Sequence, residues 1–148
     1  MPIVIIFLVI FLSQFQDTFA NSEYFRTLRN DKVNLRQGPS FDHPIKIFYK
    51  KQFLPVLIQD RSDNFRKIRD HENNTGWIHV SQLSKKKAAI VIDERLILFS
   101  GSTLYSNPIA ILKKGRLVNI NKCRNDWCKI KTGNFKGWVK KESLWGLL

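Results

Sequence analysis

The chain repeats one order of short apolar runs and turn residues, and this repeat limits the possible folds more than any other feature. Pro44-Ile45-Lys46-Ile47 returns as Pro108-Ile109-Ala110-Ile111, and Gly76-Trp77-Ile78 returns as Gly137-Trp138-Val139. The offset is 64 residues for the first match and 61 for the second. Ordered matches at a nearly constant offset indicate a duplicated unit of about 50 to 60 residues.

Each unit has the pattern of a small β domain. In the first unit, short extended runs are separated by segments rich in Gly, Pro, Asn and Asp, and the runs cover residues 32–36, 45–49, 54–58, 65–69 and 77–80. No stretch after residue 20 shows sustained helical periodicity. The pattern predicts an all-β fold with two five-strand barrels in tandem. A barrel of this size is marginally stable alone, so we expect the two units to pack together.

The first twenty residues are predicted to be a signal peptide. Residues 3–12 are an unbroken apolar run, followed by polar residues and by Thr18-Phe19-Ala20. Ten residues span only ~15 Å as a helix, about half of a ~30 Å hydrocarbon core, which is typical of a signal peptide rather than of a membrane span. No stable membrane span is expected once the signal peptide is removed. A retained anchor is the alternative. The predicted boundaries are 1–20 for the signal, 21–84 and 96–148 for the two domains, and 85–95 for a connecting strand or linker.

The chain is strongly basic, with 25 Lys and Arg against 12 Asp and Glu and a net charge of +13. Such an excess favours anionic partners. A merely solvated lysine surface is the competing interpretation. Nucleic acid is not the expected partner, because the chain is predicted to be exported and because its sequence has no basic motif interleaved with aromatic residues.

Several motifs resemble those of bacterial SH3-like domains. The motifs are Val33-Asn34-Leu35-Arg36-Gln37-Gly38-Pro39-Ser40 as an opening motif, Leu54-Pro55-Val56, Gly76-Trp77-Ile78-His79, Leu83-Ser84, Trp127-Cys128, Gly137-Trp138-Val139 and Leu144-Trp145-Gly146. Together they are similar to the tandem, exported SH3-like proteins of alphaproteobacteria, over about residues 30–148. Two features depart from the family pattern: Leu98-Phe99-Ser100-Gly101 stands in place of the second opening motif, and Phe65 stands where a Trp is usual.

The resemblance implies a non-catalytic protein of the periplasm or the cell exterior. Its expected ligand is peptidoglycan, another cell-wall polymer or another anionic envelope component. The alternative is a structural adaptor that binds an envelope protein. The oligomeric state is left open.

Five residues are candidates for ligand contact: Phe41, Asp42, Trp77, Tyr105 and Trp127. Phe41 and Tyr105 lie in matching loops and would stack on a ligand, while Asp42 would accept a hydrogen bond from an amine. Trp77 and Trp138 are expected mainly inside the barrels, where a small barrel needs a large side chain. Trp127 and Phe65 occupy the place of the exposed Trp of eukaryotic SH3 domains. The remaining groove residues do not fit a polyproline ligand.

The two cysteines, Cys123 and Cys128, are predicted to form a disulfide across a hairpin, with free thiols as the alternative. The three histidines, His43, His71 and His79, have no metal-binding or catalytic spacing. No general base, nucleophile and orienting group recur at a workable spacing. We therefore expect no catalytic residues, no metal and no cofactor.

Overall fold

The computed structural model describes residues 22–148, and this range forms two all-β units without an α-helix. The predicted all-β fold with two tandem units is confirmed. The predicted signal peptide lies outside the described residues. Within the described range, none of the helical segments has the length and apolar character needed to cross a membrane.

Each unit contains a seven-stranded sheet. The first sheet consists of β1 (Tyr24–Leu28), β2 (Val33–Arg36), β3 (Ile45–Tyr49), β4 (Pro55–Ser62), β5 (Phe65–Arg69), β6 (Thr75–His79) and β7 (Leu83–Ser84). The second consists of β8 (Ala88–Val91), β9 (Arg95–Phe99), β10 (Pro108–Lys113), β11 (Leu117–Arg124), β12 (Trp127–Thr132), β13 (Phe135–Lys140) and β14 (Leu144–Trp145). A short 3₁₀ turn precedes the last strand of each sheet, at Val80–Gln82 and Lys141–Ser143.

The two sheets have the same topology and nearly the same register. The strand order is β3-β2-β6-β5-β4-β1-β7 in the first sheet and β10-β9-β13-β12-β11-β8-β14 in the second, so every strand has its counterpart seven strands later. The two sheets also share a β-bulge, which interrupts the β4–β5 pairing after Ile58 and the β11–β12 pairing after Ile120. Positions with the same pairing partners in the two sheets are called equivalent below.

The predicted barrels have five strands, and each sheet adds two to that number. In the first unit the additions are β1, which pairs with β4, and the two-residue β7, which pairs with β1. The segment 85–95 contains β8, which pairs with β11 and β14 inside the second sheet. All four residues of β8 are buried.

Each unit has its own apolar core, built from the inward-facing residues of its strands. The first core includes Leu28, Leu35, Val56, Ile68 and Ile78, and the second includes Val91, Leu98, Val118, Ile130 and Val139. Strands cross closely at one glycine in each unit. A Cβ on Gly76 would lie 2.7 Å from the carbonyl oxygen of Arg36, and a Cβ on Gly137 would meet the carbonyl oxygen of Phe99 even more closely. This close approach explains why Gly precedes Trp in both repeats.

The two units pack against each other. Ile90 of β8 belongs to the core of the first unit. The Trp145 ring of the second unit lies edge-on to Phe25 at 4.9 Å between centroids, and the Arg69 guanidinium lies 6.0 Å from the same ring. The Thr27 hydroxyl donates a 2.8 Å hydrogen bond to the carbonyl oxygen of Lys86. Lys86 belongs to residues 85–87 between β7 and β8, which we call the joining segment. The joining segment and β14 therefore contribute to the contact between the two units.

The predicted disulfide is confirmed. Cys123 and Cys128 are direct cross-strand partners in the β11–β12 hairpin, with their Cα atoms 4.0 Å apart. Cys128 is fully buried in the second core, while Cys123 is exposed. The disulfide therefore links the tip of the longest hairpin of the second unit to its core.

A buried polar pair fixes a loop of the first unit. The Tyr49 hydroxyl donates a 2.8 Å hydrogen bond to Asp70, whose carboxylate also accepts from the backbone N–H groups of Glu72 and Asn74 and from the Asn74 side chain. Burial, followed by the hydrogen bond and the negative charge of Asp70, raises the pKa of Tyr49 well above its usual value. The tyrosine therefore stays protonated and keeps donating in the folded protein.

Candidate ligand-binding surface

The outer surface of the second unit carries two tryptophans. Along β12 and β13, Cys128, Ile130 and Val139 point into the core. Alternation of side chains along a strand therefore places Trp127 and Trp138 on the opposite, outer side. Both rings are nonetheless only 9% exposed, because neighbouring side chains cover them.

Three cations cover these rings. The Lys122 ammonium lies 5.8 Å and the Arg124 guanidinium 5.7 Å from the centroid of Trp138. The Lys140 ammonium lies 4.7 Å from the centroid of Trp127. Phe99 packs edge-on against Trp127, at 5.6 Å between centroids. We call this surface the second-unit face, and it consists of Phe99, Lys122, Arg124, Trp127, Lys129, Trp138 and Lys140.

The positive charge of this face is not neutralised within the molecule. Among residues 22–148, Lys114 is the one lysine or arginine with an Asp or Glu carboxylate within 4.0 Å, at 3.2 Å from Glu94, and it lies outside the face. Cations over aromatic rings gain ≈ 0.5–1 kcal/mol at exposed sites, and they keep their capacity to bind an anion. The second-unit face therefore holds four cations, three of them over aromatic rings, without an Asp or Glu partner.

The equivalent surface of the first unit has a different composition. Trp77 is equivalent to Trp138, but Asp60 and Ser62 stand at the positions of Lys122 and Arg124. Trp77 is correspondingly less covered than Trp138. We call this surface the first-unit face.

An aromatic cluster occupies one end of the first-unit face. Phe41, Phe65 and His79 contact one another, with all three centroid separations at 5.2 Å. The Arg36 guanidinium lies 5.3 Å from the Phe41 ring and donates hydrogen bonds to the carbonyl oxygens of Phe41 and His43. These hydrogen bonds hold the loop that carries Phe41 against the sheet.

The five predicted contact residues lie in different places. Phe41 is 64% exposed in the aromatic cluster, and Tyr105 is 99% exposed in the matching loop of the second unit. Asp42 is exposed beside Phe41, and its backbone N–H is bonded to the Ser40 hydroxyl. Trp77 lies on the first-unit face, and Trp127 lies on the second-unit face. The structure thus brings Phe41 and Asp42 together and distributes the other three over two units.

One expectation about aromatic burial is wrong, and another holds only in part. Trp77 lies outside the first core, because Ile78 and Gly76 take the inward positions of β6. Trp138 is buried, but under Lys122 and Arg124 rather than in the second core cluster. Phe65 and Trp127 do not present the open ring of a eukaryotic SH3 groove, since only 6% and 9% of them are exposed.

Sequence reasoning missed Lys122 and Arg124, which cover Trp138, and Phe99, which supports Trp127. The position of Phe99 on the outer surface could be inferred from the sequence, because Phe99 follows Leu98 as Arg36 follows Leu35 in the opening motif. No comparable signal exists for Lys122 and Arg124, because the bulge in β11 determines which of its residues face outward.

The histidines have local roles. The Ser40 hydroxyl lies 2.8 Å from His43 Nδ1, and the Ser81 hydroxyl lies 2.7 Å from His79 Nδ1, so both rings fix neighbouring turns. His71 lies at the contact between the units, 6.2 Å from the Trp145 ring between centroids. Within residues 22–148, no three His, Cys, Asp or Glu side chains are close enough together to hold a metal ion.

The fold consists of two small β units of the same topology. The family comparison agrees with this duplication, because the bacterial SH3 domain model matches residues 29–85 and 93–146, one match in each unit. The chain belongs to the bacterial SH3 domain family. Domains of this family are binding domains.

Similarity to individual proteins is more distant. No curated protein matches the chain. Among solved structures, NlpC2 from Trichomonas vaginalis is 13% identical over 84% of this chain and 48% of its own, with a TM-score of 0.38. NlpC1 from the same organism is 12% identical over 83% and 45%, with a TM-score of 0.38. An NlpC/P60 family protein from Bacillus cereus ATCC 10987 is 10% identical over 81% and 55%, with a TM-score of 0.37. This chain spans about half the length of these proteins.

Proposed function

We propose that this protein is an exported, non-catalytic module that binds an anionic polymer of the bacterial cell wall through the second-unit face. Membership of a family of binding domains supports a binding role. The observation that carries the choice of ligand and surface is the placement of Lys122, Arg124 and Lys140 over two tryptophan rings without an internal Asp or Glu partner.

The arrangement suits a repeating anion for an electrostatic reason. Charges separated by more than ~10 Å are largely screened at moderate salt, so lysines scattered over a surface do not act together. Lys122, Arg124 and Lys140 converge on one face, where their attractions add. The rings restrict these long side chains before binding, which lowers the entropy lost when a ligand orders them.

The exposed loop aromatics are proposed to stack on the ligand. Phe41 and Tyr105 have most of their surface accessible, and an aromatic ring can stack on the apolar face of a sugar. Asp42 is exposed beside Phe41 and is proposed to accept a hydrogen bond from an amine of a wall peptide. In this proposal the loops add specificity to an attraction that the second-unit face supplies.

Co-sedimentation with purified cell walls tests the proposal. We expect wild-type protein to be retained at low salt and released as salt rises, because the attraction is electrostatic. The triple variant Lys122→Gln, Arg124→Gln, Lys140→Gln should lose at least about ten-fold in apparent affinity, which corresponds to ~1.4 kcal/mol.

The matched control is the triple variant Lys32→Gln, Lys50→Gln, Lys51→Gln, which removes the same charge from exposed first-unit positions. It should retain most of the binding. Equal losses in the two triple variants would show that net charge, rather than the second-unit face, drives retention. No retention of the wild type at low salt would overturn the proposed function.

A second candidate function is adhesion to an envelope protein, and one observation favours it. Ile97, Ile109 and Ile111 are 42%, 43% and 52% exposed on the β9–β10 hairpin, where the first unit has Asn34, Lys46 and Phe48 at the equivalent positions. Cross-linking in intact cells would support this candidate if it captured one dominant protein partner and if Ile111→Gln abolished that capture.

A further inference from the structure

A groove in the first unit collects positive charge at a place distinct from the second-unit face. It has a volume of about 460 Å³ and is lined by the side of β1 that carries Tyr24 and Arg26, by the start of β5 and by the segment around β7. Four of its eight lining residues are cationic, namely Arg26, Arg29, Arg66 and Lys85, and none is acidic.

The three arginines are held in place by backbone oxygens. Arg26 Nη1 donates to the carbonyl oxygen of Phe25 at 3.0 Å, and its guanidinium lies 4.6 Å from the Tyr24 ring centroid. Arg29 Nε donates to the carbonyl oxygen of Leu83 at 3.1 Å. Arg66 Nη1 donates at 2.9 Å to the carbonyl oxygens of Asp63 and of its own neighbour Phe65. Each guanidinium has five N–H donors, so each retains donors for a ligand.

The second unit shows that the fold does not require these cations. At the positions equivalent to Arg26, Arg29, Arg66 and Lys85 it has Ala89, Ile92, Cys128 and Gly146. Its barrel end is filled instead by the disulfide and by Leu147, which packs on the second core. The groove is therefore a property of the first unit, and four like charges gathered there repel one another unless an anion is present.

We propose that this groove binds a phosphate group together with the sugar-sized residue that carries it. A phosphate presents several acceptor oxygens in a tetrahedral arrangement, so it can satisfy guanidiniums that approach from different strands. A carboxylate has two coplanar oxygens, which suit a single arginine. The volume lies in the range of small-ligand sites, and Tyr24, Val80 and Leu83 supply an apolar wall beside the cations.

Titration of the ¹⁵N-labelled protein followed by NMR tests this assignment. The probes are inorganic phosphate, glucose 6-phosphate, glucuronate and glucose, at constant ionic strength. We expect saturable shifts of backbone amides in β1 and β7 with glucose 6-phosphate and weaker ones with inorganic phosphate. Glucose should have no effect, and glucuronate should bind at least ten-fold more weakly than glucose 6-phosphate. Equal affinity for glucuronate would overturn the preference for phosphate.

Two variants localise the effect. Arg26→Gln, Arg66→Gln should weaken glucose 6-phosphate binding at least ten-fold, and Lys85→Gln alone should weaken it about three-fold. Lys85 is exposed in the joining segment, so its variant tests the groove even if the double variant fails to fold. The matched control, Arg95→Gln, Lys113→Gln, removes two exposed charges from the second unit and should bind as the wild type does. Shifts spread evenly over all basic surfaces would overturn the proposal.

The proposals for the groove and for the second-unit face can be tested independently of each other. The groove variants should leave salt-sensitive retention on cell walls largely intact, whereas the triple variant of the second-unit face should leave glucose 6-phosphate binding unchanged. A polymer-borne phosphate as the natural source predicts that glucose 6-phosphate competes with part of the wall retention. A free phosphorylated metabolite as the source predicts no competition.

Discussion

The two units share topology and register, yet they place their positive charge in different parts of the barrel. In the first unit, arginines line the groove at the barrel end, and the outer Trp77 has Asp60 beside it. In the second unit, the disulfide occupies the equivalent end, and cations cover the outer Trp138. The backbone pairing is thus common to both, while the side chains at a few equivalent positions give each unit a separate binding surface.

The interiors of the two units also differ at one pair of equivalent positions. Tyr49 and Asp70 form a buried hydrogen-bonded pair in the first unit, and the equivalent residues of the second unit are Leu112 and Thr132. Thr132 accepts a 2.8 Å hydrogen bond from Arg116 Nε and donates to the carbonyl oxygen of Leu117. The first unit is therefore stabilised at this position by a charged acceptor, and the second by a hydroxyl.

Loss of the charged acceptor should have the largest effect on stability. Asp70→Ala leaves the Tyr49 hydroxyl and three donors of the following loop without their acceptor. Unsatisfied buried donors are costly, so we expect a loss of roughly 3 to 5 kcal/mol in the free energy of unfolding of the first unit. Urea denaturation combined with amide hydrogen exchange in β5 and β12 measures each unit separately.

The matched variant in the second unit is Thr132→Ala, which should cost about 1 to 2 kcal/mol. It removes one hydrogen bond from the charged Arg116 guanidinium and one to the neutral carbonyl oxygen of Leu117. Its effect should appear in the exchange of β12 rather than β5. If Asp70→Ala cost no more than Thr132→Ala, the carboxylate would not be the main stabilising group of its loop.

Opening the disulfide should have the next largest effect, and the loss should be confined to the second unit. Closing a loop of this length contributes about 2 kcal/mol on the chain-entropy model. Cys123→Ala removes the bond at an exposed position and leaves the buried Cys128 in the core. We expect faster amide exchange in β11 and β12 and unchanged exchange in β4 and β5. Equal losses in both units would mean that the units unfold as one cooperative body.

The third largest effect is expected at high pH, where the first unit should lose stability because of Tyr49. The pKa of Tyr49 is raised, so the folded state keeps a proton that the unfolded chain releases above about pH 10. The tyrosine therefore contributes its full stability below that pH, and the first unit should lose up to about 1.4 kcal/mol per pH unit above it. Tyr49→Phe should abolish this slope, while Tyr105→Phe, at an exposed position, should leave it unchanged.

The sequence allowed more of the fold than of the surface to be predicted. The alternation of apolar residues and the repeated Gly-Trp pair indicate the strands, and the spacing of Cys123 and Cys128 indicates a hairpin with a disulfide. The position of Lys122 over Trp138 could not be predicted, since the bulge after Ile120 shifts the alternation along β11. Arg26 could not be predicted for a different reason: residues 24–28 are Tyr, Phe, Arg, Thr and Leu, which lack the apolar–polar alternation that indicates a strand.

The smallest effect should come from exchanging the residues that cover the two equivalent tryptophans. Lys122→Asp, Arg124→Ser gives the second-unit face the side chains of the first, and it should increase acrylamide quenching of Trp138 because the ring loses its cover. Both cations lie near the ~6 Å limit of the cation–π interaction, so each lost contact is worth ≈ 0.5 kcal/mol and the free energy of unfolding should fall by only about 1 kcal/mol. The reciprocal variant, Asp60→Lys, Ser62→Arg, should protect Trp77 from quenching and should give the first-unit face a salt-sensitive attraction for cell walls. If the reciprocal variant protected Trp77 without adding attraction, cations over a ring would be a stabilising feature of the barrel and not its means of binding.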